Sequence, residues 1–320
     1  MPEIPLDAYG PLELVNDAAA LGLTTTTVSS PLGTCVARHP AERSSTRATL
    51  FLHGAAGSWT TWTPLVQVAN GLGIDLGDTV IFDLPGWGDA VLTSDRADHT
   101  VLAICSLVKD MADELGYTEW DLVGHSLGGF VALHMASIWP QCALSVGMVS
   151  GTTFSVMQSV EHPLRRFGEL PGFTLLWRVM QFLALLGTAG PALVRGMGAM
   201  GLLRPATFPL FRHWRKVPRT LGRALAREIR PRSFAAAAEV TRGYDADGMW
   251  STIDCPVRAT KGDRDVFVTQ DDLDHLGRLL PNSVRTVIAD CGHFGAVERP
   301  LDVLVALGFA VRDALSPPSC

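Results

Sequence analysis

The chain has 320 residues, 47% hydrophobic and 18% charged, with Lys+Arg 26 against Asp+Glu 32 for a formal net charge of −6. This excludes a disordered chain, a collagen-like repeat and a coiled coil: apolar content is too high, Gly and Pro follow no period, and charges are too sparse. What remains is a globular chain long enough to bury a sizeable core in one large α/β domain or a domain with an insertion.

Runs rich in β-branched and apolar residues predict strands at Leu23–Ser29, Thr34–Arg38, Thr49–His53, Thr79–Asp83, Asp121–Gly124, Leu144–Ser150, Val257–Lys261 and Val284–Ala289. From the third onward they alternate with helical patterns at Trp59–Ala69, Thr100–Leu115, Leu127–Ile138, Gln270–Leu280 and Val297–Leu315. Such alternation demands crossover connections, hence an eight-stranded, mostly parallel sheet with helices on both faces. The rhythm breaks between the sixth and seventh runs, where an insertion sits. Its middle, Phe173–Phe211, is crowded with Leu, Met, Phe and Trp and cut by Gly187, Gly190, Pro191, Gly201, Pro205 and Pro209, which predicts several short helices packed as a lid.

The most lipid-like stretch, Val179–Val194, falls short of the roughly 20 apolar residues a span needs, so an amphipathic or buried helix pair is expected rather than a membrane crossing. Cys35, Cys105, Cys142, Cys255, Cys291 and Cys320 are scattered with no CxxC pair, which predicts reduced, mostly buried thiols and no zinc site. The chain opens Met-Pro-Glu-Ile-Pro-Leu-Asp and reaches no arginine before Arg38, unlike a secretory signal, so a cytoplasmic location is expected.

The central chemical signal is Gly124-His125-Ser126-Leu127-Gly128, directly after an apolar strand and directly before a helix. That placement is what a nucleophile elbow requires: a sharp turn, small flanking residues and a hydroxyl raised above the sheet. A serine hydroxyl needs a base, and in an elbow-type sheet the acid and then the histidine follow the serine. Of His134, His162, His213, His275 and His293, only His293 lies in a loop just after a strand, so it is the expected base; His53 and His125 precede turns and read as structural. The carboxylate that orients it is expected in Gly262-Asp263-Arg264-Asp265, with Asp265 preferred and Asp263 the fallback. The developing oxyanion needs two donors, expected from the backbone N–H groups of Leu127 and Ala55, with Ala56 the alternative to the latter.

Together these residues resemble the α/β-hydrolase superfamily. The matching pieces are His53-Gly54, Asp83-Leu-Pro-Gly-Trp-Gly88, Gly124-His-Ser-Leu-Gly-Gly129, Cys255-Pro-Val257 leading into Gly262-Asp-Arg-Asp265, and Cys291-Gly-His293 followed by Glu298-Arg-Pro300. The resemblance supports Asp265 over Asp263 and implies a helical cap inserted after strand 6, dividing the chain into a core of 1–151 with 251–320 and a cap of 152–250. Haloalkane dehalogenases and epoxide hydrolases of this fold carry Asp at the elbow, so Ser126 disfavours both reactions. No HExxH or Walker lysine is present, and no cofactor, metal or nucleic-acid partner is expected.

The predicted activity is hydrolysis of a carboxylic ester with a sizeable apolar part through an acyl-enzyme on Ser126. Rivals that keep the same serine are C–C bond hydrolysis, thioester hydrolysis and acyl transfer; a rival of another class is a non-catalytic protein that binds a small apolar ligand. Between Glu161 and Arg232 the sequence carries 13 basic against three acidic residues, a balance of +10, which leaves −16 on the remainder. Such a cap either binds the acidic core through salt bridges or meets an amphiphilic substrate, an anionic surface or an acyl carrier.

Overall fold

The structure is a computed structural model that describes residues 8–93, 99–203 and 207–309. Of the features singled out above, the opening residues 1–7, Pro205, Cys320 and the last residues of the helix expected over Val297–Leu315 lie outside the described residues. The eight strands are β1 (Leu23–Ser30), β2 (Gly33–Pro40), β3 (Arg47–Leu52), β4 (Asp78–Asp83), β5 (Glu119–His125), β6 (Ala143–Val149), β7 (Val257–Gly262) and β8 (Val284–Ile288). They form one sheet in the order β1-β2-β4-β3-β5-β6-β7-β8, antiparallel only at β1–β2 and β2–β4. The central strands are covered on both faces and are accordingly almost continuously buried, as β4 is along its whole length, whereas the edge strand β1 reads Leu-Thr-Thr-Thr-Thr-Val-Ser-Ser and stays half exposed.

One face of the sheet carries α1 (Thr63–Leu72) with its Leu65, Val66, Val68 and Ala69 against Phe51, Ile81 and Val123. The other carries α2 (Val101–Glu114) and α3 (Leu127–Ile138) against Leu50, Leu52, Val80 and Leu122. The helix expected from Trp59 opens as a 3₁₀ turn, Trp59–Trp62, before α1 begins.

Between β6 and β7 the chain inserts α4 (Phe154–Glu161), α5 (Pro171–Leu185), α6 (Ala189–Ala199), α7 (Arg219–Glu228), α8 (Pro231–Glu239) and α9 (Ala246–Trp250). Gly187, at φ 59°, sits in the short break between α5 and α6, so the lipid-like stretch is a helix pair, and among the described residues no helix is long and apolar enough to cross a membrane. The insertion has its own small core of Val156, Val160, Phe173, Trp177, Met180 and Phe234, which closes onto Ala56 of the sheet domain.

After β7 come α10 (Gln270–Leu279), opened by a Thr269/Asp272 capping box, and after β8 α11 (Gly295–Glu298) and α12 (Pro300–Ala306). The single helix expected from Val297 is thus broken at Arg299, whose successor Pro300 has no N–H to continue the ladder and clashes with a helical predecessor. Cys35, Cys105 and Cys291 are buried, Cys142 and Cys255 half-buried, and all five are free thiols. Some arginines of the insertion do hold the sheet domain: Arg212 pairs with Asp290 at 3.3 Å, and Arg230 donates to the carbonyls of Gly86 and Gly88.

Candidate active site

The site assembles at the C-terminal ends of the parallel strands, where α/β sheets gather their loops. Ser126 ends the turn between β5 and α3 with φ 51° and ψ −117°, a conformation that L residues avoid and that costs on the order of 1–3 kcal/mol. Surrounding bonds impose it: Ser126 N–H donates to Val149 O at 3.1 Å, and Ser126 O accepts from Gly129 N at 2.9 Å and Thr152 N at 2.8 Å. Gly128 has to be glycine, since a Cβ there would stand 2.1 Å from Leu52 O. Ser126 is the N-cap residue of α3, yet its hydroxyl makes no capping bond. Leu127 follows as the first residue of the helix, where backbone N–H groups have no intrahelical partner and the helix dipole favours negative charge.

The loop after β3 approaches Ser126 closely. A Cβ on Gly54 would lie 2.7 Å from Ser126 Cβ, so only glycine lets the strand end and the elbow meet. Ala55, Ala56 and Leu127 all line the same cavity as Ser126, and Ala56 adopts a left-handed φ of 60°.

His293, in the loop after β8, is buried, and its Nδ1 stands 3.0 Å from Asp265 Oδ1. The same oxygen accepts the backbone N–H groups of Phe267 at 2.9 Å and Val268 at 3.2 Å. Burial pushes the Asp265 carboxyl up, but His293 beside it and these donors outweigh burial and hold it below the ordinary aspartate range. Asp263 is committed elsewhere, accepting from Cys291 N–H at 2.9 Å. The aromatic ring of Phe267 stands edge-on to His293 with centroids 4.8 Å apart.

Four of the other histidines have partners away from Ser126. His53 bridges Gly54 O and Leu84 N–H, His134 meets the Tyr244 hydroxyl at 2.8 Å, His213 meets Asp290 at 2.6 Å, and His275 stacks on Phe154. His125 Nε2 lies 2.9 Å from His293 O, and burial, followed by the neighbouring His293, pushes its pKa down to about 3. It stays neutral at neutral pH and so props the His293 backbone from below.

Ser126 and His293 open into one cavity of about 820 Å³, its mouth included, between the sheet and the insertion. Phe173 and Met180 of α5, Phe234 and Ala238 of α8, Ile229 and Phe267 are among its walls. The polar lining beyond Ser126 and His293 is limited to Thr152, Thr207 and Thr241, and no Asp, Glu, Lys or Arg lines it among the described residues.

Sequence comparison agrees with this geometry. The pattern of the alpha/beta hydrolase family matches residues 49–307. The chain belongs to the alpha/beta hydrolase family. It is similar to the dihydrolipoyllysine-residue acetyltransferase component of an acetoin cleaving system from Cupriavidus necator, 37% identical over 110 residues that cover 33% of this chain and 26% of that protein. It is also similar to mouse epoxide hydrolase 4, 26% identical over 120 residues that cover 37% of this chain and 32% of that protein. The chain therefore spans only about a quarter to a third of these relatives. In solved structures the fold recurs in a thermophilic esterase from Thermogutta terrifontis, with a TM-score of 0.63, 18% identity, and coverage of 89% of this chain and 96% of that one.

One feature of the site escaped motif reading. Glu298, quoted above only as part of a motif, is buried and accepts from Gly292 N at 2.8 Å, Phe294 N at 2.8 Å, Arg212 N at 3.0 Å and Tyr9 Oη at 2.5 Å. Burial raises its pKa above the ordinary glutamate range despite these donors. It thereby grips the backbone on both sides of His293, while His293 N–H donates to Leu210 O of the insertion. The sequence does not mark that clamp, because two of its four donors, Tyr9 Oη and Arg212 N, come from distant segments.

Proposed function

We propose that this alpha/beta hydrolase is a serine esterase acting on an uncharged carboxylic ester with a sizeable apolar part. Ser126 Oγ attacks the carbonyl carbon while His293 Nε2, left with the lone pair because Nδ1–H points to Asp265, takes the hydroxyl proton. Asp265 fixes that tautomer and stabilises the imidazolium. The N–H groups of Leu127 and Ala55 receive the oxyanion, His293 returns the proton to the departing alcohol, and water releases the acyl group by the reverse sequence. Residues 152–250 act as the cap that closes over this chemistry.

The observation that carries the reading is that Ser126 and the Asp265-paired His293 share a cavity whose other walls are almost wholly apolar. An ionised substrate group would lose its hydration there with no cation to replace it, so a carboxylate-bearing substrate, as in the C–C bond hydrolase alternative, is disfavoured. The test is turnover of p-nitrophenyl esters of increasing chain length by the protein and by Ser126→Ala, with labelling by a fluorophosphonate probe. Medium-chain esters should be preferred, the variant should lose on the order of 10⁶ in kcat, and labelling should require Ser126. Faster turnover of conjugated keto acids than of esters would replace this reading with C–C hydrolysis, and no labelling would leave a binding protein.

A further inference from the structure

A helix that is apolar all round is ordinarily buried all round. Helix α5 breaks that expectation. Phe173, Trp177, Met180 and Leu183 point into the insertion's core, and Phe173 and Met180 also wall the catalytic cavity. The opposite face, with Leu175, Val179, Phe182 and Leu185 at helical spacing, is as apolar but exposed: Phe182 is 61% and Leu185 81% accessible. The patch continues to the turn before α5, where Leu164 is 91% accessible, and to Leu193 on α6. The same insertion also exposes Phe167, Leu186, Met200, Leu202 and Phe208, whereas outside it, among the described residues, the exposed large apolar side chains are Val91, Leu102, Val284, Val287 and Val305.

The charges around this face have one sign. From residue 162 to 203 the sequence holds Arg165, Arg166, Arg178 and Arg195 against one acid, Glu169. Glu169 pairs with Arg166, whereas Arg165, Arg178 and Arg195 form no ion pair among the described residues and are exposed. Arg178 instead lies over the Trp177 ring and donates to Gln181, which keeps its guanidinium beside the apolar stripe.

We infer that the outer face of α5, with Leu164 and Leu193, docks on the surface of an anionic phospholipid bilayer. Leucine and phenylalanine side chains on an exposed helix face, flanked by arginines, match the boundary between acyl chains and anionic headgroups. A second copy of the chain is the poorer occupant: a two-fold contact would set Arg165, Arg178 and Arg195 against their own copies. Since the inner face of α5 walls the cavity, docking places the cavity beside a reservoir of apolar esters; that consequence rests on the esterase reading, the docking itself does not.

The test is co-flotation of the full protein with vesicles of phosphatidylcholine alone and of phosphatidylcholine enriched in phosphatidylglycerol. Wild type and Ser126→Ala should float equally with the anionic vesicles, so docking is read independently of catalysis. Binding should weaken with added salt and fall roughly fivefold in Arg178→Gln. The double substitution Val179→Glu/Phe182→Glu should abolish flotation while leaving hydrolysis of a soluble short-chain ester unchanged. Failure of the wild type to float, or equal flotation of the double variant, overturns the proposal. So does a homodimer that this double substitution dissociates, or binding to an acidic acyl carrier protein without binding to vesicles.

Discussion

The hydroxyl of Tyr9 donates to the buried carboxyl of Glu298 at 2.5 Å across 289 positions of sequence, and the same tyrosine oxygen accepts from His213 N–H at 3.0 Å. Through this pair the N-terminal segment, the insertion and the His293 loop are fastened at one point. The clamp acts by holding the backbone on both sides of His293.

Glu298→Gln should therefore damage both stability and turnover. The acceptor oxygens serve Phe294 N–H on one side and Tyr9, Arg212 N–H and Gly292 N–H on the other, so an amide NH₂ must face at least one donor whichever way it turns. A loss of roughly 3 kcal/mol is expected, against about 2 kcal/mol for Tyr9→Phe, which removes two hydrogen bonds, the one to Glu298 and the one from His213 N–H. Urea denaturation measures both, and kcat should fall further than KM rises in Glu298→Gln because the base rather than the binding wall is displaced.

Asp265→Asn tests the tautomer argument. Its side chain is fully buried at 3.0 Å from His293 Nδ1, so an amide in its place can present NH₂ to the ring and favour the wrong tautomer. Turnover of a soluble ester should fall by about 10⁴ with the fold intact by circular dichroism, whereas Asp263→Asn should mainly cost stability by loosening the Cys291 N–H bond. Equal activity losses in the two variants would contradict the assignment.

His125 makes the protein acid-sensitive. Burial holds its folded pKa at about 3, below the ordinary histidine value of about 6.5, so the unfolded chain binds the proton first as pH falls, and stability is lost below about pH 6.5 and continues to fall until the folded pKa is reached. Between pH 7 and 5 this group alone accounts for roughly 2 kcal/mol. His53, also buried and lowered by burial, acts in the same direction. Denaturation at the two pH values should show this loss, and His125→Asn should reduce the difference between them. A pH-independent midpoint would show that His125 is not held neutral.

The cavity wall on α8 offers a test of chain-length preference. Ala237 and Ala238 line the cavity beside Phe234 and Thr241, and Ala238→Phe would fill the space that a longer acyl or alcohol chain occupies. The kcat/KM ratio of long to short esters should drop at least about tenfold, since one methylene in an apolar pocket is already worth roughly 1–3 kcal/mol.

The sequence by itself determined the strands and the places of the candidate site residues in them. Strand runs, the glycines around Ser126 and the position of His293 after β8 are set by interactions within a few residues, and each is written in residue type and spacing. Only the tertiary structure decided which of Asp263 and Asp265 meets His293, because two carboxylates two positions apart in one loop differ in direction rather than in pattern. The charge balance of the insertion was legible too, but not its use: a count of arginines does not say that Arg212 and Arg230 turn toward the core while Arg178 lies along an exposed apolar stripe. Nor does helical spacing tell which of two apolar faces of α5 finds a partner. Burial depends on what the rest of the chain brings to that helix, and here it brings a core to one face and leaves the other exposed.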